Sequence, residues 1–323
     1  MRTRFVLAAL FLLATGFAAR GQAKFPPETR NAALRYWQAF AEMKDPPADA
    51  EVQAIMAKVL AGEQPWDEGK LGSVVDENEV ALGIMQRATK LPDCDWGIEY
   101  HQGYRASVAM VARANVLGRL NILQGIRQLG KGQTQAAADT WIAGIRFAQD
   151  VSKGGSLLFV QTAKTLLARE MRLLTVEAKQ GRLSGSRKQQ LYIAVNALPE
   201  DGFDWSAAWQ LDEAGADFLF TELQQSHQPA DLYKSIMGTP AFKGCVPPNA
   251  RQLQAYRGYM NEVATALRLP PSTTSGRLEE LETKKQAVCE SLRHAIPSAQ
   301  MVNNNRIDMI SARKDLLDAL AAH

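Results

Sequence analysis

NVLGRLNILQGIRQLGKGQTQAAADTWIAGIRFAQDV, residues 115–151, decides the fold. In its first half Val116, Leu120, Ile122, Leu123, Ile126 and Leu129 recur at three- and four-residue steps. With Val108 and Val111 upstream they cover most of a helix's circumference, which predicts a central helix near 105–130. After Gly130-Lys131-Gly132 the pattern resumes as a narrow stripe of Ala137, Trp141, Gly144, Ile145 and Ala148. Small residues around one large ring suit close helix contact, so a second helix is expected near 133–152, folded back on the first.

The same periodicity extends in both directions, and no stretch alternates in the manner of a strand rich in Val, Ile and Thr. The chain is therefore read as all-α, an irregular multi-helix array of about ten helices. A first helix carries Ala33, Tyr36, Trp37 and Phe40 on one stripe, between Pro26-Pro27 and Asp45-Pro46-Pro47. Others are expected near 48–61, 68–89, 156–180, 205–225 (with Asp204 as N-cap), 250–268, 275–295 and 298–321. The Gly/Pro-rich passage GTPAFKGCVPPNA, 238–250, is a candidate sub-boundary, with a single domain over 24–323 as the default.

Gly125, Gly132, Ala137, Trp141 and Gly144 fall where tetratricopeptide hairpins place their small and aromatic signature residues, so this pair of helices resembles one such hairpin. The resemblance covers about 34 residues, lacks the family's proline and first-helix aromatic, and has no second copy; an array needs about three. NAALRYWQAF, LPDCDWGIEY, GGSLLFVQTAKTLL and IPSAQMVNNNRID resemble an uncharacterised family of exported bacterial all-helical proteins. That resemblance implies export and a helical fold, and brings no activity or site.

The first residues, MRTRFVLAALFLLATGFAARGQA, read as a secretory signal peptide: Arg2 and Arg4, an apolar run from Phe5 to Ala19, and small residues before a cleavage after Ala23. The run falls short of the roughly 20 residues of a membrane span. A periplasmic or secreted protein beginning near Lys24 is expected, with no stable membrane insertion; a retained anchor is the alternative. Removing residues 1–23 takes away three arginines and no acid, leaving 34 basic against 34 acidic side chains. No charge excess then favours nucleic acid. Export would place Cys94, Cys245 and Cys289 in an oxidising space, where three pairings are open; Cys245 with Cys289, a loop cysteine and one on the following helices, is preferred.

Chemistry is sparse. GIMQRAT, 83–89, resembles the Gly-Leu-Met-Gln segment of lytic transglycosylases, but the Glu-Ser pair that family needs upstream is missing; Glu77-Asn78 stands there. Cys94, Asp95, His101, Cys289, Glu290 and His294 lack the close spacings of a metal site, so neither a metal nor any cofactor is expected. DCDWGIEY, 93–100, reads as a structural plug, with Trp96 as anchor, Asp95 bonding local amides and Gly97 allowing an unusual backbone angle. On the 205–225 helix Glu213 and Asp217 are one turn apart, and on the last helix Arg306 and Arg313 interleave with apolar residues. They are expected either to pair with neighbouring helices or to line a groove for an anionic or peptide ligand. The functional expectation is a helical scaffold or binding protein for a protein or peptide partner; the alternative is a cell-envelope enzyme acting on glycan through carboxylates such as Glu77 or Glu213.

Overall fold

The computed structural model describes residues 28–183, 185–241 and 244–322. The signal segment, with its cleavage point after Ala23, lies outside the described residues. The described chain is all-helical, with fourteen α-helices rather than about ten, and its only β-type pairing is an isolated bridge between Asn31 and Asp93. From Asn31 onward the fold forms one compact unit that includes the 238–250 passage.

Three helices form the centre: α5 (Met110–Gly130), α6 (Thr134–Ser152) and α7 (Leu157–Lys179). Short links make α6 antiparallel to both neighbours, so α5 and α7 run in the same direction. Small residues set how closely they approach. A β-carbon on Gly125 would lie 2.2 Å from Trp141 Nε1, and one on Gly118 would lie 2.7 Å from Leu166 Cδ1. Gly144 opens the space that Glu170 of α7 and Asn121 of α5 fill; a β-carbon there would stand 2.3 Å from Glu170 Oε1 and 2.6 Å from Asn121 Nδ2. Trp141, Phe147 and Phe159 are fully buried around these contacts, each worth on the order of 2–3 kcal/mol of apolar burial.

Before this centre come α1 (Ala32–Glu42), α2 (Ala50–Ala61), α3 (Glu68–Asp76) and α4 (Glu79–Ala88), then a 3-10 turn at Tyr100–Arg105. The single helix expected over 68–89 is two, because Asn78 is buried at the junction: its Nδ2 donates to the Val74 carbonyl while its Oδ1 accepts from Lys44 N–H at 2.8 Å. A side chain that bonds the backbone on both sides competes with helix continuation. Trp37, expected on the buried stripe of α1, is 43% exposed; its neighbour Tyr36 is fully buried.

DCDWGIEY closes this layer. Trp96 stacks on Tyr36 with ring centroids 5.4 Å apart and donates its indole N–H to the Asp150 carbonyl at 2.7 Å. Asp95 Oδ1 accepts from Gly97 N–H at 2.9 Å, and Gly97 takes a φ of +64°. Asp150, at the end of α6, also accepts from the Tyr36 hydroxyl at 2.7 Å and pairs with Lys153. Cys94 sits half-buried against the same carbonyl.

The remaining helices are α8 (Gly185–Asn196), α9 (Trp205–Gln225), α10 (Pro229–Met237), α11 (Ala250–Ala266), α12 (Pro271–Lys285), α13 (Glu290–His294) and α14 (Ala299–Ala321). The helix expected over 275–295 is broken into α12 and α13. Side-chain caps mark the starts: Asp49 before α2, Asp67 before α3, Asp204 before α9, Ser298 before α14, and a full capping box of Asn249 and Gln252 at α11. Cys245 and Cys289 form a disulfide with Cα atoms 5.9 Å apart, holding the 238–250 passage to the start of α13. No helix of the described residues is long and apolar enough to cross a membrane.

Candidate functional site

The groups singled out in the sequence do not converge. Arg306 is 3% exposed and fully engaged: its Nε donates to Asp201 at 2.8 Å, and its terminal nitrogens reach Thr274 and the Leu269 carbonyl. It ties α14 to the loop before α9 and to α12, which is a packing role. Arg313 donates to the backbone carbonyls of Val195 and Asn196 at the end of α8. Asp217 is held by Arg257 of α11, and Glu213, half-buried beside it, has its carboxyl raised by burial and then by the Asp217 charge. Arg306 and Arg313 are thus each spent on a different local contact, while Glu213 and Asp217 lie on α9 beside Arg257 of α11.

The glycan-enzyme candidates also separate. Glu77 caps the end of α3 at the surface, and Glu213 lies on α9. Met85 is fully buried, and Gln86 bonds Gln124 and Thr140, so the GIMQ segment joins α4 to α5 and α6. Among the described residues no three His, Cys, Asp or Glu side chains come together to hold a metal ion.

A different site emerges where the parallel helices α5 and α7 face the end of α2. Apolar packing on their inner faces leaves an outward groove between them, and α2 walls it with Ala57, Leu60 and Ala61. Gly62 then turns the chain away in a left-handed conformation, φ +74°, closing α2 through its N–H to Lys58 and Val59. The resulting cleft has a volume of about 590 Å³, within the range of small-ligand sites.

Its charged lining is entirely cationic: Arg119 from α5, and Lys164, Arg169 and Arg172 from α7, beside the polar Asn115 and Thr165. Lys164 and Arg172 share one acid, Asp308 of α14, with Lys164 Nζ at 2.6 Å. Burial would raise that carboxyl, but hydrogen bonds from both cations hold it below its ordinary range. Arg119 and Arg169 are half-buried and, among the described residues, have no hydrogen bond and no acid partner. Burial lowers the pKa of both guanidiniums, and in Arg169 the charges of Arg119 and Arg172 lower it further. Desolvated like charges held together without a counter-charge are costly in the empty state, and that cost is relieved by an anion.

Most other arginines at this end of the molecule are neutralised. Arg127 bonds Glu68 and Asp76, Arg182 bonds Glu177, and Arg113 bonds Asp45. Arg119 and Arg169 differ from these in having no acid partner among the described residues.

Comparison with protein-family models, with curated proteins and with solved structures finds no match to this chain.

Proposed function

We propose that this chain is an exported binding protein whose cleft between α5, α7 and the end of α2 takes a ligand bearing an anionic group, phosphate or carboxylate. The single observation that carries the reading is the pairing of Arg119 with Arg169, both half-buried and unpartnered among the described residues, on the wall of a cavity with no acid in its lining. Guanidiniums are suited to this task because their planar donors match phosphate and carboxylate oxygens two at a time. Asn115 and Thr165 add neutral hydrogen-bonding groups at the same level. The ligand replaces the missing counter-charge.

The test is calorimetric titration of the purified chain with sodium pyrophosphate, repeated with Arg119→Gln, Arg169→Gln and the double variant. Binding that weakens about tenfold per removed guanidinium, on the scale of a charge-assisted hydrogen bond, supports the reading. No heat with the native chain, or equal affinity in the double variant, rejects it.

A further inference from the structure

The cationic cleft does not end at Arg169. Leu173 and Val176 of α7 and Gly62 also line a second cavity, of about 640 Å³, that continues toward the C-terminal ends of α5 and α7. The two cavities differ in electrostatics. In the second, most acids and bases pair: Glu68 with Arg127 and Lys131, and Glu177 with Arg182, while Glu63 stands exposed without an ion pair among the described residues. Between these pairs the surface is apolar, formed by Val59, Ile126, Leu129, Leu173 and Val176, and Val176 is 41% exposed. Trp66 stands at its edge, its indole N–H fixed by Glu68 Oε2 at 2.6 Å. Glu68 is held ionised, near 2, by hydrogen bonds from Arg127 first and from Trp66.

We infer that the ligand is an anionic single-chain amphiphile, with its headgroup on Arg119 and Arg169 and its alkyl chain laid along α7 over Leu173 and Val176 to Trp66. This rests on the anion-binding reading above and adds the class of ligand. An uncharged chain fits the second cavity because most of its charges are already paired within the protein and the exception, Glu63, is exposed to water, whereas the half-buried unpaired charges line the first. The dimensions agree: eleven residues separate Arg169 from Gln180, which lines the far cavity, and at helical rise that is about 16 Å, the reach of roughly a dozen methylene groups. Charge and then apolar wall follow one another along α7, and Trp66, from the segment before α3, lines the same second cavity.

The experiment compares ethyl, butyl, octyl and dodecyl phosphate, below their aggregation concentrations, with pyrophosphate, dodecyl maltoside and hexaglutamate, for the native chain, the Arg119→Gln/Arg169→Gln variant and Trp66→Ala. The expected result is affinity rising about tenfold for each four carbons added, because a groove wall covers only part of each methylene. The gain is lost with both guanidiniums removed, and it is cut for dodecyl phosphate but not for pyrophosphate in Trp66→Ala. Pyrophosphate binding with no dependence on chain length overturns the amphiphile and leaves the anion site standing. Hexaglutamate binding more tightly than every alkyl phosphate does the same, in favour of an acidic peptide. Dodecyl maltoside matching dodecyl phosphate, with no effect of the double substitution, overturns both readings. Because Arg119, Arg169 and Trp66 are all partly exposed, the variants are expected to fold, and circular dichroism verifies this.

Discussion

Gly125 of α5 lies so close to the indole of Trp141 on α6 that a β-carbon at this position would stand 2.2 Å from Nε1, inside any permissible contact. The seating of Trp141 against α5 therefore depends on the absence of one methyl group.

Gly125→Ala is expected to destabilise the protein by about 1–3 kcal/mol through overpacking, outweighing the roughly 1 kcal/mol that alanine gains in helix propensity. Gly130, five residues on, has nothing within 4 Å of its would-be β-carbon. There the same change is expected to leave stability level or raise it by about 0.4–1 kcal/mol. Urea unfolding of the two variants measures the difference; equal effects would contradict the packing argument.

Arg119→Gln and Arg169→Gln remove like-charge repulsion and half-buried charge without breaking an internal bond. In the ligand-free protein their melting temperatures should equal or exceed that of the native chain at low salt. Arg127→Gln should lower it, because it removes the cation that bridges Glu68 and Asp76 and leaves Glu68 only Lys131 and Trp66. The result separates residues kept for binding from residues kept for the fold.

Glu170 is 1% exposed, and burial alone raises its carboxyl well above the ordinary range. Burial therefore favours the neutral acid in the fold to a higher pH than in the unfolded chain, which ionises above about 4.3. Its contribution to stability is complete below that value and falls as pH rises, by about 1.4 kcal/mol per unit, until the folded carboxyl ionises. Asp212, raised by burial to about 6, adds a second decline that ends near that pH. In the window that opens above about pH 4.3 the native chain should lose melting temperature relative to Glu170→Gln, which mimics the neutral acid. Parallel profiles in that window would show that Glu170 is charged in the fold.

The Cys245–Cys289 bridge closes a loop with a sequence separation of 44. On chain entropy, replacing both cysteines by alanine should cost about 4 kcal/mol. Denaturant midpoints of the oxidised chain and the double variant measure it, and the loss should be matched by reduction of the native chain.

Much of this architecture could be read in advance where one helix face faces one core. The boundaries near Gly130, Thr134, Ser152 and Trp205, the cap at Asp204 and the anchoring by Trp96 all follow from local pattern and local side-chain chemistry. The break at Asn78, the outward turn of Trp37 and the short helix α10 were hidden, because each depends on a partner distant in sequence or on packing that periodicity does not encode. The site was missed for the same reason: Arg119 and Arg169 are fifty positions apart, and only the parallel alignment of α5 and α7 joins them. A faint signal did exist. Asn115, Val116, Ile122 and Leu123 surround Arg119 at helical spacing with no acid among them, and α7 carries Lys164, Arg169 and Arg172, while its acids, Glu170 and Glu177, are buried. Arg306 and Arg313 give the stronger pattern in sequence, because their apolar neighbours, which are core, resemble a groove.

The seating of Cys94 against the Asp150 carbonyl has a consequence for sulfur chemistry. Burial, then the charge of Asp150, push its thiol up to about 12. At pH 7 that leaves about one thiol in a hundred thousand as thiolate, against a few per cent for an ordinary cysteine. Since only the thiolate attacks a disulfide, the odd cysteine is chemically quiet, and a chain with three cysteines keeps a single pairing without a fourth to balance it.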